Sequence, residues 1–162
     1  MRTLILGVGN PILGDDGAGI ATVRKLEKVL KGPRLDIKEA ATGGIPLVEQ
    51  MLDYSEVILV DAMLELEPGV TKKLTPSSLE KKGTPSGLHG MDFLTSFEIM
   101  KSMYPDRMPD QENILIYGIG IERNQRFSET ISPEVRDGVE DVYENIRSKF
   151  NSREMEEEDG SY

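Results

Sequence analysis

Residues 4–19, LILGVGNPILGDDGAG, decide how this chain folds. The first five residues are mostly apolar and the Asn10-Pro11 pair that follows is a turn signal, so this part indicates a buried strand and a loop. Apolar residues then recur at helical spacing between residues 20 and 30, which predicts a helix. The stretch is therefore expected to form a strand, a loop and a helix.

Two acidic residues, Asp15 and Asp16, lie where this helix is predicted to begin. Unpaired backbone N–H groups and the positive end of the helix dipole favour ionised carboxylates at such a position. Two ionised acids at the edge of a sheet could hold a metal ion. The alternative is that one acid caps the helix and the other only improves the interaction with the dipole. This stretch alone does not decide between the two interpretations.

Composition limits the classes of protein that the chain can belong to. With 162 residues, 38% of them hydrophobic, it can form one domain with a proper core. The absence of cysteine excludes disulfides, thiolate metal sites, iron–sulfur clusters and a cysteine nucleophile. A formal net charge of −10 argues against a nucleic-acid partner. No apolar run has the length of a membrane span and no signal peptide is visible, so we expect a cytoplasmic protein without membrane insertion.

The end of the chain is strongly acidic. Residues 153–159, REMEEED, contain five acids. Such a charge run is typical of a solvated, unstructured segment. We therefore expect a folded domain over residues 1–150 and an acidic, disordered tail over residues 151–162.

The order of the predicted elements indicates the fold class. Strands alternate with helices, and the longest apolar strand ends in Asp61. This order is typical of a single α/β domain with a twisted, mostly parallel sheet of about five strands and helices on both faces. A further segment, residues 75–88, is rich in Pro, Ser, Gly and Lys and is predicted to be a loop. The predicted strands are residues 4–8, 34–40, 56–60, 70–75 and 114–117, and the predicted helices begin near residues 20, 46, 93 and 133.

Three scattered residues are candidates for one site. Ligands of parallel sheets bind beyond the carboxyl ends of the strands, where Asp16 follows the first strand and Asp61 ends the third. If these strands are neighbours, both carboxylates face one crevice. His89, the single histidine, precedes a predicted helix, and an imidazole with two carboxylates suits a divalent metal such as Ni, Zn or Mn. The alternatives are that His89 is a helix cap or a surface residue and that Asp61 only accepts backbone hydrogen bonds.

Other catalytic and binding motifs are absent or incomplete. No G-x-S-x-G is present, so a serine hydrolase would need a different nucleophile elbow. Gly7-Val8-Gly9 begins like a dinucleotide-binding fingerprint, but Ile12 occupies the next glycine position. The lysine of a phosphate-binding P-loop is missing as well.

Several motifs together resemble one family. They are GVGNPILGDDGAG, then VDA followed by PG, then a single histidine before an amphipathic helix, and finally ILIYGIGIE. In this order and at these separations they resemble the nickel–iron hydrogenase maturation endopeptidases, over residues 1–150. The resemblance implies an α/β sheet domain and a metal-dependent endopeptidase. Its expected substrate is the hydrogenase large-subunit precursor, from which it removes a C-terminal extension once nickel has been inserted.

The resemblance also assigns roles to residues. It implies that Asp16, Asp61 and His89 recognise nickel and carry out catalysis, and that Thr42 and Gly43, after the second strand, position the substrate. The precursor is expected to bring the nickel, so the site would be empty in the isolated protein. We expect the precursor to be the partner and the protein to be a monomer.

Two functions from other classes remain open. The same residues could sense or escort nickel during hydrogenase assembly without hydrolysing a peptide bond. A small-molecule metallohydrolase could also use this kind of sheet, and it would hold a permanently bound metal.

Overall fold

This computed structural model describes residues 1–80, 92–123 and 126–159 of the chain, which form five strands and five α-helices. The strands are β1 (Thr3–Val8), β2 (Leu35–Ala40), β3 (Glu56–Met63), β4 (Thr71–Leu74) and β5 (Ile114–Gly120). The α-helices are α1 (Ala18–Val29), α2 (Gly44–Glu49), α3 (Pro76–Glu80), α4 (Asp92–Met103) and α5 (Pro133–Asp159). Short 3-10 helices span Gly14–Gly17 and Gln111–Asn113.

The five strands form one sheet in the order β2-β1-β3-β5-β4. β1 is parallel to both β2 and β3, and β3 is parallel to β5. Only β4, at the edge, runs antiparallel to its neighbour. Its sequence TKKL carries two lysines, which are common on exposed sheet edges. The predicted mostly parallel α/β fold is confirmed.

Helices cover both faces of the sheet. Every residue of β1 and β3 is buried, as expected for central parallel strands. Side chains alternate between two cores, with Leu4 in the core formed by α2 and α4, and Ile5 in the core formed by α1 and α5. Within the described parts of the chain, no helix is both long and apolar enough to cross a lipid bilayer.

Two strands extend further than the sequence predicts. The third strand is predicted over residues 56–60, but β3 continues to Met63, so Asp61 lies inside it. The last strand is predicted over residues 114–117, but β5 continues through two glycines to Gly120. Glycine weakens a strand locally, and here the pairing with strands on both sides overrides that preference.

The predicted loop over residues 75–88 begins with a helix instead. α3 starts directly after Thr75, with proline at its first position, where its missing N–H costs nothing. The backbone N–H of Thr75 donates to the Ser78 hydroxyl, which in turn donates to the Thr75 carbonyl. Leu79 is buried in the core. A cap and one apolar contact therefore order a segment whose composition indicates a loop; residues 81–88 lie outside the described residues.

The final helix is longer than predicted. The sequence indicates a disordered tail over residues 151–162, but α5 continues to Asp159. Glu, Met and Arg fill residues 153–158, and all three are strong helix formers. Helix propensity therefore outweighs the charge of this segment in the structure, while the division into a folded domain over residues 1–150 and a tail stays a prediction. Residues 160–162 lie outside the described residues.

Candidate functional site

The candidate site lies beside β1, where the order in which strands are added to the sheet reverses. From β1 the chain first adds β2 on one side, and later adds β3 on the other, which makes the β1/β3 crevice the switch point where α/β sheets bind ligands. The pairing of β1 with β3 ends at Gly7 and Val60. Asp61, the next residue of β3, is paired with Gly118 of β5 on its other side. Asp61 therefore lies where β1 leaves the sheet and the crevice opens.

Two glycines let the loop that carries Asp16 fold back onto the strand ends. Gly9 has a φ of +141°, and a Cβ there would lie 2.1 Å from the carbonyl oxygen of Asp16. A Cβ on Gly19 would lie 2.2 Å from the carbonyl oxygen of Val60 and 2.5 Å from that of Val8. The beginning of α1 thus rests directly on the ends of β1 and β3, which places Asp16 beside the crevice.

Backbone hydrogen bonds orient both carboxylates. The N–H of Asn10 donates to Oδ2 of Asp16 at 2.9 Å. The N–H of Ala62 donates to Oδ1 of Asp61 at 2.8 Å, and Asp61 is only 4% exposed. The backbone hydrogen bond considered as an alternative role for Asp61 is therefore present, but the same residue also lines the crevice.

Asp16 and Asp61 line one cleft of about 230 Å³. Its wall is built from the carboxyl ends of four strands, so the fold and not a single loop forms it. Glu122 and Arg123 add one charge of each sign at the end of β5. The lining residues are Gly9, Asn10, Leu13 and Asp16 after β1, Ala41 after β2, Asp61, Ala62 and Leu64 on and after β3, and Ile121, Glu122 and Arg123 after β5.

The remaining predicted site residues are His89, Thr42 and Gly43. His89 lies outside the described residues. Thr42 and Gly43 are half-buried and follow Ala41, which lines the cleft. Among the described residues, no group of three His, Cys, Asp or Glu side chains lies close enough together to hold a metal ion. Of the predicted set, the structure thus places Asp16 and Asp61 at one cleft.

Comparison with known proteins identifies the family. A family described as hydrogenase maturation protease (HycI) matches residues 20–149 of this chain. The chain belongs to the hydrogenase maturation protease family. The match includes Asp61 and begins after Asp16, and it confirms the resemblance that the sequence motifs indicate.

Individual relatives agree with this assignment. A Methanocaldococcus jannaschii protein that carries the name hydrogenase maturation protease is 38% identical over 81 residues, which are 47% of this chain and 51% of that protein. The hydrogenase 2 maturation protease of Escherichia coli K12 is 32% identical over 80 residues, 49% of this chain and 45% of the relative. The chain thus spans about half the length of the curated relatives that it matches. The solved structure of the E. coli hydrogenase maturating endopeptidase HybD shares the fold, with a TM-score of 0.74, 22% identity and 94% of each chain covered.

In this member of the family, Asp15 has a role that the sequence did not indicate. Its two carboxylate oxygens accept hydrogen bonds from the backbone N–H and the hydroxyl of Ser132, at 2.7 and 2.8 Å. Neither Asp15 nor Asp16 makes a side-chain capping hydrogen bond to the helices that start here. The capping interpretation of these acids is therefore wrong for α1, and Asp15 instead ties the Asp16 loop to the beginning of α5. The Ser132-Pro133 pair signals that helix start, but the acid that joins it is 117 residues away.

The segment before α5 braces the Asp16 loop at a second point. Ser128 forms a parallel β-bridge with Leu13, in which the N–H of Gly14 donates to the Ser128 carbonyl at 2.7 Å. A wider cleft of about 620 Å³ lies beside this bridge and shares Glu122 with the first cleft. Its lining includes four carboxylates, those of Asp15, Glu67, Glu122 and Glu134.

Gly9→Ala is expected to lower the free energy of unfolding by about 2–4 kcal/mol, because the added Cβ meets a carbonyl oxygen at a positive φ. Urea unfolding measures the effect. Gly32→Ala is the matched control, since a Cβ there would make an ordinary 3.7 Å contact with Leu35. Equal stability of the two variants would contradict the described packing of the loop that carries Asp16.

Proposed function

We propose that this chain is an endopeptidase that removes the C-terminal extension of a nickel–iron hydrogenase large-subunit precursor after nickel insertion. One observation carries the proposal: Asp16 and Asp61 line a single cleft at the switch point of the sheet. Family membership supports the same reaction. The nickel is part of the substrate in this proposal, held by the precursor when it arrives.

Asp16, Asp61 and His89 are proposed to recognise the nickel of the docked precursor. Carboxylate oxygens and an imidazole nitrogen are suitable ligands for Ni²⁺. The hydrogen bonds from Asn10 and Ala62 hold the two carboxylates in fixed orientations, so little ordering is left to occur when the ion docks. A precursor without nickel would lack this contact and would not be held at the cleft.

The proposed reaction is the addition of water to the scissile carbonyl carbon, followed by loss of the amide nitrogen as a protonated amine. A nearby metal ion can polarise the carbonyl or lower the pKa of a bound water, and a carboxylate can accept the proton of that water. The chain has no cysteine that could act as a nucleophile instead. Both routes place the attacking water between the docked substrate and the carboxylates of the cleft.

Thr42 and Gly43 are proposed to position the extended substrate chain. They follow Ala41 of the cleft wall, and Gly43 has an extended backbone with φ −128° and ψ −168°. An extended main chain can exchange backbone hydrogen bonds with a peptide laid beside it. The substrate tail would then cross the end of β2 before it reaches Asp16.

The activity is tested by the intact mass of a nickel-loaded precursor after incubation with this protein. Loss of one C-terminal peptide supports the proposal. Stable binding without any change in mass would instead establish the non-proteolytic escort function.

Metal content separates the proposal from a small-molecule metallohydrolase. Because the nickel is proposed to arrive with the precursor, the isolated protein is expected to contain far less than one equivalent of any transition metal. Elemental analysis of protein purified without chelators measures this content. A full equivalent of tightly bound metal in the isolated protein would favour the metallohydrolase.

A further inference from the structure

Two apolar side chains next to the cleft are exposed to solvent. Phe127 is 87% exposed and Ile12 is 47% exposed. An aromatic side chain gains free energy when it is buried, so an almost completely exposed one beside a functional cleft is typical of a contact surface.

The bridge between Leu13 and Ser128 places these two residues beside each other. In a parallel bridge the preceding residues of the two segments are also neighbours, so Ile12 comes beside Phe127. Leu13 lines the first cleft and Ser128 the second, so the Ile12–Phe127 surface lies directly beside residues of both clefts.

We propose that the Ile12–Phe127 surface binds an apolar segment of the precursor close to the bond that is cut. This inference rests on the proposed function. Leu13 and Asp16 line the same cleft, and Ile12 is the neighbour of Leu13, so the surface is within reach of substrate residues a few positions from a bond held at Asp16. Apolar side chains of that segment would cover Phe127 and exclude water from it.

Charge favours a different protein over a second copy of this chain as the occupant. The formal net charge is −10, so two copies repel each other. Arg126 and Glu129 flank Phe127 and Ser128 in the sequence and provide exposed charges of both signs, as is usual around the apolar centre of an interface.

Steady-state cleavage of the nickel-loaded precursor tests the surface. Phe127→Ala is expected to raise KM about tenfold and to change kcat less than about twofold, because a contact made equally in the ground state and the transition state is lost. Ile12→Ala combined with Phe127→Ala is expected to raise KM further, and Phe127→Leu to restore most of the affinity.

Met103→Ala is the matched control. Met103 is 61% exposed and ends α4, after which the chain leads into the beginning of β5, at the end of the strands opposite the cleft. The KM and kcat of the Met103→Ala variant are expected to equal those of the wild type. Thermal unfolding of all variants checks that the exposed side chains do not contribute to stability.

The possible outcomes separate this inference from the proposed function. If the wild type cleaves the precursor and Phe127→Ala has an unchanged KM, the proposed binding role of the surface is overturned and the proposed function stands. Binding of the precursor without cleavage, weakened about tenfold by Phe127→Ala, overturns the function and supports the surface. If neither binding nor cleavage occurs, both are overturned. Sedimentation tests the alternative occupant. If the wild type is a dimer and Phe127→Ala is a monomer, a second copy of this chain covers the surface, and the proposal is overturned.

Discussion

Asp16→Asn is expected to slow cleavage of the nickel-loaded precursor by about 10²-fold or more while leaving the fold intact. Asparagine has nearly the same shape, and its carbonyl oxygen can still accept the hydrogen bond from the N–H of Asn10. The substitution therefore removes the negative charge and one ligand oxygen and little else. The initial rate of precursor cleavage, followed by intact mass, measures the effect.

A control substitution separates the loss of this carboxylate from a general change in charge. Asp106→Asn removes an exposed acid in the turn after α4, away from the cleft, and is expected to cleave at the wild-type rate. Both variants are expected to have the same midpoint of urea unfolding as the wild type. Normal turnover by Asp16→Asn would remove Asp16 from the mechanism.

Asp61→Asn is expected to cause a loss of cleavage of similar size. Asp61 is buried in β3, and asparagine can keep the hydrogen bond from the N–H of Ala62, so the strand is expected to retain its pairing. If Asp16 and Asp61 act on the same docked ion, their effects are not additive. The Asp16→Asn, Asp61→Asn double variant is then expected to be about as slow as the slower single variant.

The same rate measurement on all three variants tests this coupling. Unfolding of each in urea shows whether a lower rate comes from a less stable protein. Rate losses that multiply in the double variant would mean that the two carboxylates contribute independently, which would contradict recognition of one shared ion.

Local sequence patterns predicted the fold because the central strands are continuous apolar runs. The buried residues of β1 and β3 and the apolar stripe of α1 depend on spacing alone, so the element order and the layers could be predicted. Strand ends could not, because the glycines of β5 are held by pairing with residues far away in the sequence. The helix α3 was missed for a similar reason: Leu79 is ordered by the core and not by a repeating pattern.

The candidate site was predictable only in part. Asp16 and Asp61 follow apolar strands, and the general behaviour of parallel sheets places such residues at one edge. The strand order that makes β1 and β3 neighbours is not visible in either strand alone. The contact of Asp15 with Ser132 joins positions 117 residues apart, so no local pattern could indicate that Asp15 holds the loop against the segment before α5. The role of His89 stays a prediction from the resemblance.

The most direct test of the central claim compares one precursor in two states. The large-subunit precursor is prepared without nickel and with nickel bound, and the intact mass of each is followed during incubation with this protein. Nickel is then added to the unloaded sample. We expect loss of a single C-terminal peptide from the loaded form, none from the unloaded form, and cleavage once nickel is bound. Equal cleavage of both forms would contradict recognition of the metal by Asp16 and Asp61.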